Sequence, residues 1–329
     1  MLVGSGNEGL GVPKHGPQFK DYASGTLLGL FVLFGTAYAL LQTIVVAGIL
    51  WQMNRPRRKT LAVSLGMGGP GDPADLELEG DEATFNLSDG SASPGWILKG
   101  DRSDGPVAVV VHGHRDSRYG SLYRAQMLRP YVSASVVFDL PGHGDAGAVC
   151  CQMGQREPAD VAAVIDGLPP ELTEGRRLVL LGYSMGGVIA VRTAARLGDR
   201  IDGVISCAPY RFWDEGLRGQ MHKRRLPQWP SVWLIGAALR LAGGRLGQPP
   251  GVDVAQVAAG LDMPLLVLHG DADTICPLGA GRAVAEAAPR GTLAVIAGGT
   301  HNQLLGADHD AVHRAVSYTH LTLPTIYPV

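Results

Sequence analysis

LVLLGYSMGGVIA, residues 178–190, joins a short apolar run to a helix-like pattern through Gly182-Tyr183-Ser184-Met185-Gly186. This order reads as a nucleophile elbow, a serine on a tight strand-to-helix turn held in a strained backbone conformation. Gly182 and Gly186 let neighbouring backbone pass where a Cβ would clash. Such a turn lifts the Ser184 hydroxyl out of the sheet. It also sets the Met185 N–H at the start of the next helix, where unpaired donors and the helix dipole favour an oxyanion. G-x-S-x-G alone carries little weight in a chain with 46 glycines. The strand-like run before it and the helix after it supply the context that gives it meaning.

On these residues the chain resembles the α/β-hydrolase superfamily. That resemblance implies a mostly parallel central sheet flanked by helices, with a small helical cap and no cofactor. The rest of the composition is compatible with it. At 329 residues, 46% hydrophobic and 18% charged, the chain can bury one large α/β core and still carry appendages. A net charge of −2 gives no pull toward nucleic acid, and no such partner is expected. Four cysteines do not make a disulfide framework in a chain this long, and Cys150-Cys151 lacks zinc-site spacing, so all four read as free thiols. Ten histidines raise the question of a metal, but His112, His114 and His143 fall in turns that the hydrolase reading already explains, and no metal site is expected.

Several short runs extend the resemblance from about residue 83 to 315. Ala83–Leu87 and Gly95–Leu98, split by the turn signal Ser88-Asp89-Gly90, suggest an antiparallel pair opening the sheet. Val107–Val111 is a continuous apolar strand of the kind buried on both faces. It runs into His112-Gly113-His114, where the family's HG turn implies that the His114 N–H is the second oxyanion donor beside Met185. Ser135–Phe138 leads into Asp139-Leu140-Pro141-Gly142-His143-Gly144, which resembles a loop of structural role in the family, so Asp139 and His143 read as loop-shaping. A helix starts at Glu157, with Pro158 in its first turn. Gly203–Ser206 is a further strand, and residues 211 to about 258 break the alternation and resemble the family's cap. Trp213, Trp229, Trp233 and His222-Lys223-Arg224-Arg225 give this cap either an ordinary solvated basic face, the favoured reading, or a surface against an anionic membrane. Leu265–Leu268 ends in a segment resembling the one that carries the triad acid, which selects Asp273 and leaves Asp271 as a loop cap. Cys276 stands there in place of the usual valine. Thr292–Ile296 precedes Gly298-Gly299-Thr300-His301, where the family has its catalytic histidine. Ser184, Asp273 and His301 follow the chain order expected of this fold, each at the end of an expected parallel strand.

Outside the hydrolase region, residues 1–22 read as a disordered lead. The uncharged run over 23–54 is long enough to cross a bilayer core as a single transmembrane helix. Its length exceeds the apolar region of a cleaved signal peptide. Gly25 and Gly29 form a small-xxx-small pair that reads as incidental rather than as a helix contact. Arg55, Arg57, Arg58 and Lys59 outnumber Lys14 and Lys20 across the run, which orients the hydrolase domain toward the cytoplasm. Residues 55–80, rich in Gly, Pro and Asp, read as a linker to a domain at 81–315. The end of the chain, 316–329 with VSYTHLTLPT at its start, resembles translated sequencing adaptor and is set aside from the fold; on that reading the final helix, beginning near Ala307, is cut short.

The expected chemistry is hydrolysis of a small-molecule or lipid ester through an acyl-enzyme, with Ser184 as nucleophile, His301 as base and Asp273 as its orienting acid. A lysophospholipase-like or monoacylglycerol-lipase-like activity suits the anchor. The same groups serve a thioesterase, amidase or peptidase, and a membrane-tethered pseudo-hydrolase that only binds is the alternative of a different class. The sequence sets no oligomeric state.

Overall fold

The computed structural model describes residues 19–148, 150–243, 245 and 251–316. They fall into two compact units, one ending at Ala47 and the other beginning at Gly48. The first unit lies in helix α1 (Phe19–Asn54), which starts four residues before the expected span. Most of the expected lead, residues 1–18, lies outside the described residues. Leu27, Phe31, Phe34 and Leu40 on α1 are all exposed, and Thr26–Asn54 is long and apolar enough to cross a bilayer.

The second unit is an eight-stranded sheet. After a short α2 (Leu61–Gly66) come β1 (Gly80–Asn86) and β2 (Ala92–Lys99), then β3 (Val107–Val111), α3 (Arg118–Leu128) and β4 (Ala134–Phe138). The chain continues through α4 (Glu157–Asp166), the single turn α5 (Pro170–Thr173), β5 (Leu178–Tyr183), α6 (Met185–Leu197) and β6 (Gly203–Cys207). Helices α7 (Glu215–Lys223), α8 (Ser231–Leu241) and α9 (Val254–Ala258) follow, then β7 (Leu265–Gly270), α10 (Leu278–Ala287), β8 (Gly291–Ile296), α11 (Leu304–Ala307) and α12 (His309–Val316). Spatial order is β1-β2-β4-β3-β5-β6-β7-β8. The β1–β2 and β2–β4 pairings are antiparallel and the others parallel.

Period-two alternation divides the core. Val107, Val109, Leu178, Leu180, Val204 and Val267 face one side with α4, α6, α9 and α10, while Ala108, Val110, Val179, Leu181, Ile205 and Leu266 face the other with α3 and α12. Strands buried on both faces favour apolar residues at nearly every position, which is why β3 to β7 read as largely apolar runs, with Ser135, Ser206 and His269 as buried polar exceptions. Edge strand β8 is only partly covered.

Three boundaries differ from the sequence reading. Residues 55–80 are folded onto the domain. Arg58 donates to the Ala146 and Ala148 carbonyls at 2.7 and 2.9 Å, Lys59 pairs with Asp116 at 3.3 Å, and Leu78 is buried in the core shared with α3. Glycine and proline here mark turns within a packed segment. The cap is also shorter than expected. Val254, Ala255 and Ala258 of α9 belong to the main core, so the insertion closes at Asp253, whose carboxylate takes two hydrogen bonds from Arg211 at 2.8 and 2.6 Å. Finally, Val316 is not the first residue of a detached tail, since it ends α12 fully buried in the core. That last helix begins at His309, two residues after the expected start. Residues 317–329 lie outside the described residues.

Candidate active site

Ser184 sits between β5 and α6 with φ 55° and ψ −116°, a left-handed conformation costly for a residue with a Cβ. Its neighbours hold it there. The Ser184 N–H donates to the Cys207 carbonyl at 2.7 Å, and the Gly187 N–H donates back to the Ser184 carbonyl at 2.9 Å. A side chain at Gly182 would strike the Gly186 carbonyl, and one at Gly186 would strike the Val111 and His112 carbonyls. Both glycines are therefore required by close backbone approach.

His301, on the loop after β8, brings Nε2 to 3.0 Å from Ser184 Oγ and Nδ1 to 2.7 Å from Asp273 Oδ2. With Nδ1–H donating to the carboxylate, the Nε2 lone pair faces the serine hydroxyl. Asp273 is fixed from behind, its Oδ1 accepting the Ile275 and Cys276 N–H groups at 2.8 and 2.9 Å. Burial acts to raise the Asp273 pKa, but the adjacent His269 ring, the hydrogen bond and charge of His301 and the Ile275 N–H outweigh it and hold the carboxyl well below its ordinary range. Asp271 caps its loop by accepting the Gly298 N–H at 2.7 Å, as expected.

Met185 opens α6, so its N–H is among the first-turn donors that lack an intrahelical partner. The turn after β3 lies against Ser184, for a Cβ on Gly113 would sit 3.4 Å from Ser184 Cβ. That places His114 beside the site. The His112 ring donates from Nδ1 to the Gly113 carbonyl at 2.8 Å and accepts the Leu140 N–H at Nε2 at 3.0 Å, tying the two loops together. His143 packs edge-on against His112 and His114, with ring centroids 5.0 and 5.6 Å apart. Burial lowers the pKa of all three rings, that of His114 to about 4. Asp139 accepts the Arg118 N–H at 2.7 Å, pairs with the Arg118 guanidinium and accepts the Asp145 N–H at 2.9 Å, a loop-shaping role.

Three contacts were not anticipated. His269 is fully buried, its Nε2 donating to the Cys276 carbonyl at 3.0 Å and lying 3.5 Å from Asp273 Oδ2. A lone histidine ending the apolar run LLVLHG was the available signal. Tyr183, next to the serine, donates its hydroxyl to the His301 carbonyl. Third, the last turn of α1 reaches the site: the Met53 carbonyl accepts from His114 Nε2 at 3.1 Å, and Gln52 accepts from Arg115 at 3.2 Å.

The chain is 26% identical to a pimeloyl-[acyl-carrier protein] methyl ester esterase of Chromobacterium violaceum, over 63% of this chain and 92% of that protein. A biotin biosynthesis bifunctional protein BioHC of Cellvibrio japonicus is 40% identical over 31% of this chain, but over only 18% of its own length. Among solved structures, an esterase of Pyrococcus furiosus superposes with a TM-score of 0.62 at 20% identity, over 80% of this chain and 96% of that one. Est1E from Butyrivibrio proteoclasticus, with ferulic acid bound, gives a TM-score of 0.53 at 19% identity over 71% of this chain and 96% of its own. At such identities the structural likeness concerns the fold. The sequence pattern of the alpha/beta hydrolase family matches residues 108–315, more than half of the chain and inclusive of Ser184, Asp273 and His301, and the chain belongs to that family.

Proposed function

We propose that this protein hydrolyses carboxylic esters through an acyl-serine intermediate and is held at a membrane by α1. The observation that carries the reading is the unbroken relay from Asp273 to His301 at 2.7 Å and from His301 to Ser184 at 3.0 Å. In the first half-reaction Ser184 Oγ attacks the acyl carbon while its proton passes to His301 Nε2. The tetrahedral intermediate collapses as the bond to the leaving alkoxide breaks, and His301 protonates that alkoxide. Water repeats the sequence on the acyl-serine and releases the acid. Asp273 keeps the histidine tautomer and offsets the charge of the imidazolium. The His114 and Met185 N–H groups receive the oxyanion, each donor contributing on the order of 3 kcal/mol.

A neutral ester is the substrate class that the similarity to methyl ester esterases favours. The exposed apolar length of α1 supports an anchor and, with it, a lipid-derived ester of the lysophospholipid or monoacylglycerol kind. The basic residues after the span favour a cytoplasmic catalytic domain with single-pass topology. Thioesters and amides are served by the same relay, and the test should rank them. A fluorophosphonate probe should label the full chain, and Ser184→Ala should abolish labelling and lower turnover of p-nitrophenyl esters by about 10⁶-fold, with unchanged circular dichroism. Equal labelling of Ser184→Ala would remove the nucleophile assignment. An unreactive parent chain would leave a binding protein in its place.

A further inference from the structure

The charge of the cap is segregated. Between Glu215 and Asp253 the sequence has no acidic residue and six basic ones, Arg218, Lys223, Arg224, Arg225, Arg240 and Arg245, in a chain whose net charge is −2. Arg218 is paired with Asp214 at 2.7 Å. Lys223, Arg224, Arg225 and Arg240 are exposed and have no carboxylate within ion-pairing distance among the described residues. Beside this charge stand bare apolar side chains. Trp229 is 78% exposed, Trp233 66% and Leu241 89%. These residues are not short of a buried face on their own helix, because Val232, Ile235 and Leu239 of α8 are already buried. Trp233 and Arg240, seven residues apart, share the opposite stripe of the helix. An apolar stripe edged by unneutralised cations suits an interface that is anionic at its surface and apolar beneath, whereas an acidic protein would match the charge and leave two tryptophans uncovered.

A second set of cations adjoins the cap. Arg57 and Arg115 are exposed, and Arg115 lies near enough to Arg57 and Arg224 that, after the effect of burial, their charges lower its pKa. Arg115 follows His114 directly and donates to Gln52, and Trp51, one residue earlier, is exposed beneath the Arg55 guanidinium at 4.6 Å. A tryptophan–arginine pair at the end of an apolar helix is the side-chain pattern of a headgroup boundary. The turn beside Ser184 is therefore hydrogen-bonded to residues that close the candidate span.

We infer that the α7–α8 cap and the last turn of α1 form one docking face for an anionic phospholipid bilayer, which hands a membrane-resident ester to Ser184. This deepens the functional reading above and rests on its nucleophile and its anchor. The full chain, reconstituted in vesicles of phosphatidylcholine or of equal parts phosphatidylcholine and phosphatidylglycerol, tests it with two esters, a long-chain one dissolved in the bilayer and water-soluble p-nitrophenyl acetate. Turnover of the bilayer ester should be at least about tenfold faster in the anionic vesicles. Both the triple variant Lys223→Glu/Arg224→Glu/Arg225→Glu and Trp229→Ala/Trp233→Ala should remove that advantage while p-nitrophenyl acetate turnover stays within about twofold. Brominated lipid should quench the parent's tryptophan fluorescence more than that of Trp229→Phe/Trp233→Phe. Equal bilayer-ester rates in parent and variants overturn the docking face, as does quenching that ignores residues 229 and 233. So does an advantage that appears only when an acidic carrier protein bears the acyl group, since the face would then recognise a protein. Failure of the parent on both esters would instead strike the hydrolase reading, and failure of the parent to co-float with neutral vesicles would strike the anchor.

Discussion

The floor of the site and its rim are built in opposite ways. On the floor, Ser184, Asp273 and His301 sit on loops at the ends of β5, β7 and β8, and Ser184 and Asp273 are held by backbone groups only a few residues away in sequence or on the adjoining strand. At the rim, the last turn of α1 is joined to the turn at His114 by hydrogen bonds that span 61 and 63 residues in sequence. Local backbone demands leave a local signature, whereas long-range docking leaves almost none. The floor should therefore fail abruptly under single substitutions and the rim by degrees.

The largest effect expected on the floor after loss of the nucleophile is that of Asp273→Asn. Without a carboxylate the histidine loses its tautomer, and turnover should fall about 10⁴-fold with little change in the melting temperature. Asp271→Asn should cost less than tenfold, about 1 kcal/mol of barrier, because that side chain only caps a loop. Steady-state kinetics on the two variants decides this, and the reverse ranking would move the acid to Asp271.

Next in size is removal of the segment between span and sheet. A chain starting at Gly48 should fold and hydrolyse soluble esters. One starting at Asp81 loses buried Leu78 and the Arg58 bonds to two loop carbonyls, at a cost of at least about 3 kcal/mol of stability. Urea unfolding of the two compares them, and equal midpoints would show that residues 48–80 are dispensable. This reverses the expectation that a linker ends near residue 80.

Behind the acid, His269→Leu keeps the volume and removes the Nε2–H that lies near Asp273. Turnover should drop roughly tenfold, an energy of about 1.4 kcal/mol, with an altered acid limb in the pH profile of kcat/KM. Unchanged kinetics at every pH would make His269 a packing residue only.

The smallest effect concerns acid. Burial depresses the pKa of His112, His114 and His143, so they are neutral in the fold but take up protons when unfolded below their ordinary value of 6.5. For a base so depressed, the unfolded chain binds more protons, and stability rises with pH through the window between folded and unfolded values. For His114 that window runs from about 4 to 6.5. The melting temperature should fall as pH drops across it, and His143→Leu should flatten the fall. A parent with a level profile there would contradict the buried neutral cluster.

Much of this architecture was legible beforehand for identifiable reasons. Strands buried on both faces are mostly apolar, and Ser184 needs glycine two residues before and after, so both wrote themselves into short windows of sequence. What was not legible depended on distant partners. Gly, Pro and Asp in residues 60–80 have the composition of a linker, and only the Arg58 contacts and buried Leu78 reveal a packed segment. Helix α9 is too short for its period to separate it from the cap, and its assignment came from packing against α6 and α10. His269 looked like the end of a strand because one residue has no periodicity.

The two-pronged clasp between Arg211 and Asp253 closes the insertion at its neck, and the Val254 N–H, bonded to the Arg211 carbonyl at 3.1 Å, seals it. Because both ends of the insertion are pinned where they leave the sheet, the entropy of closing the loop depends only weakly on what lies between them. The intervening stretch is in effect a cassette. Its length can diverge with little entropic penalty to the strands beneath, and exchanging it at residues 211 and 253 for that of another hydrolase offers a route to retargeting the enzyme, provided the close approach of Gly219 to the Ile275 backbone is kept.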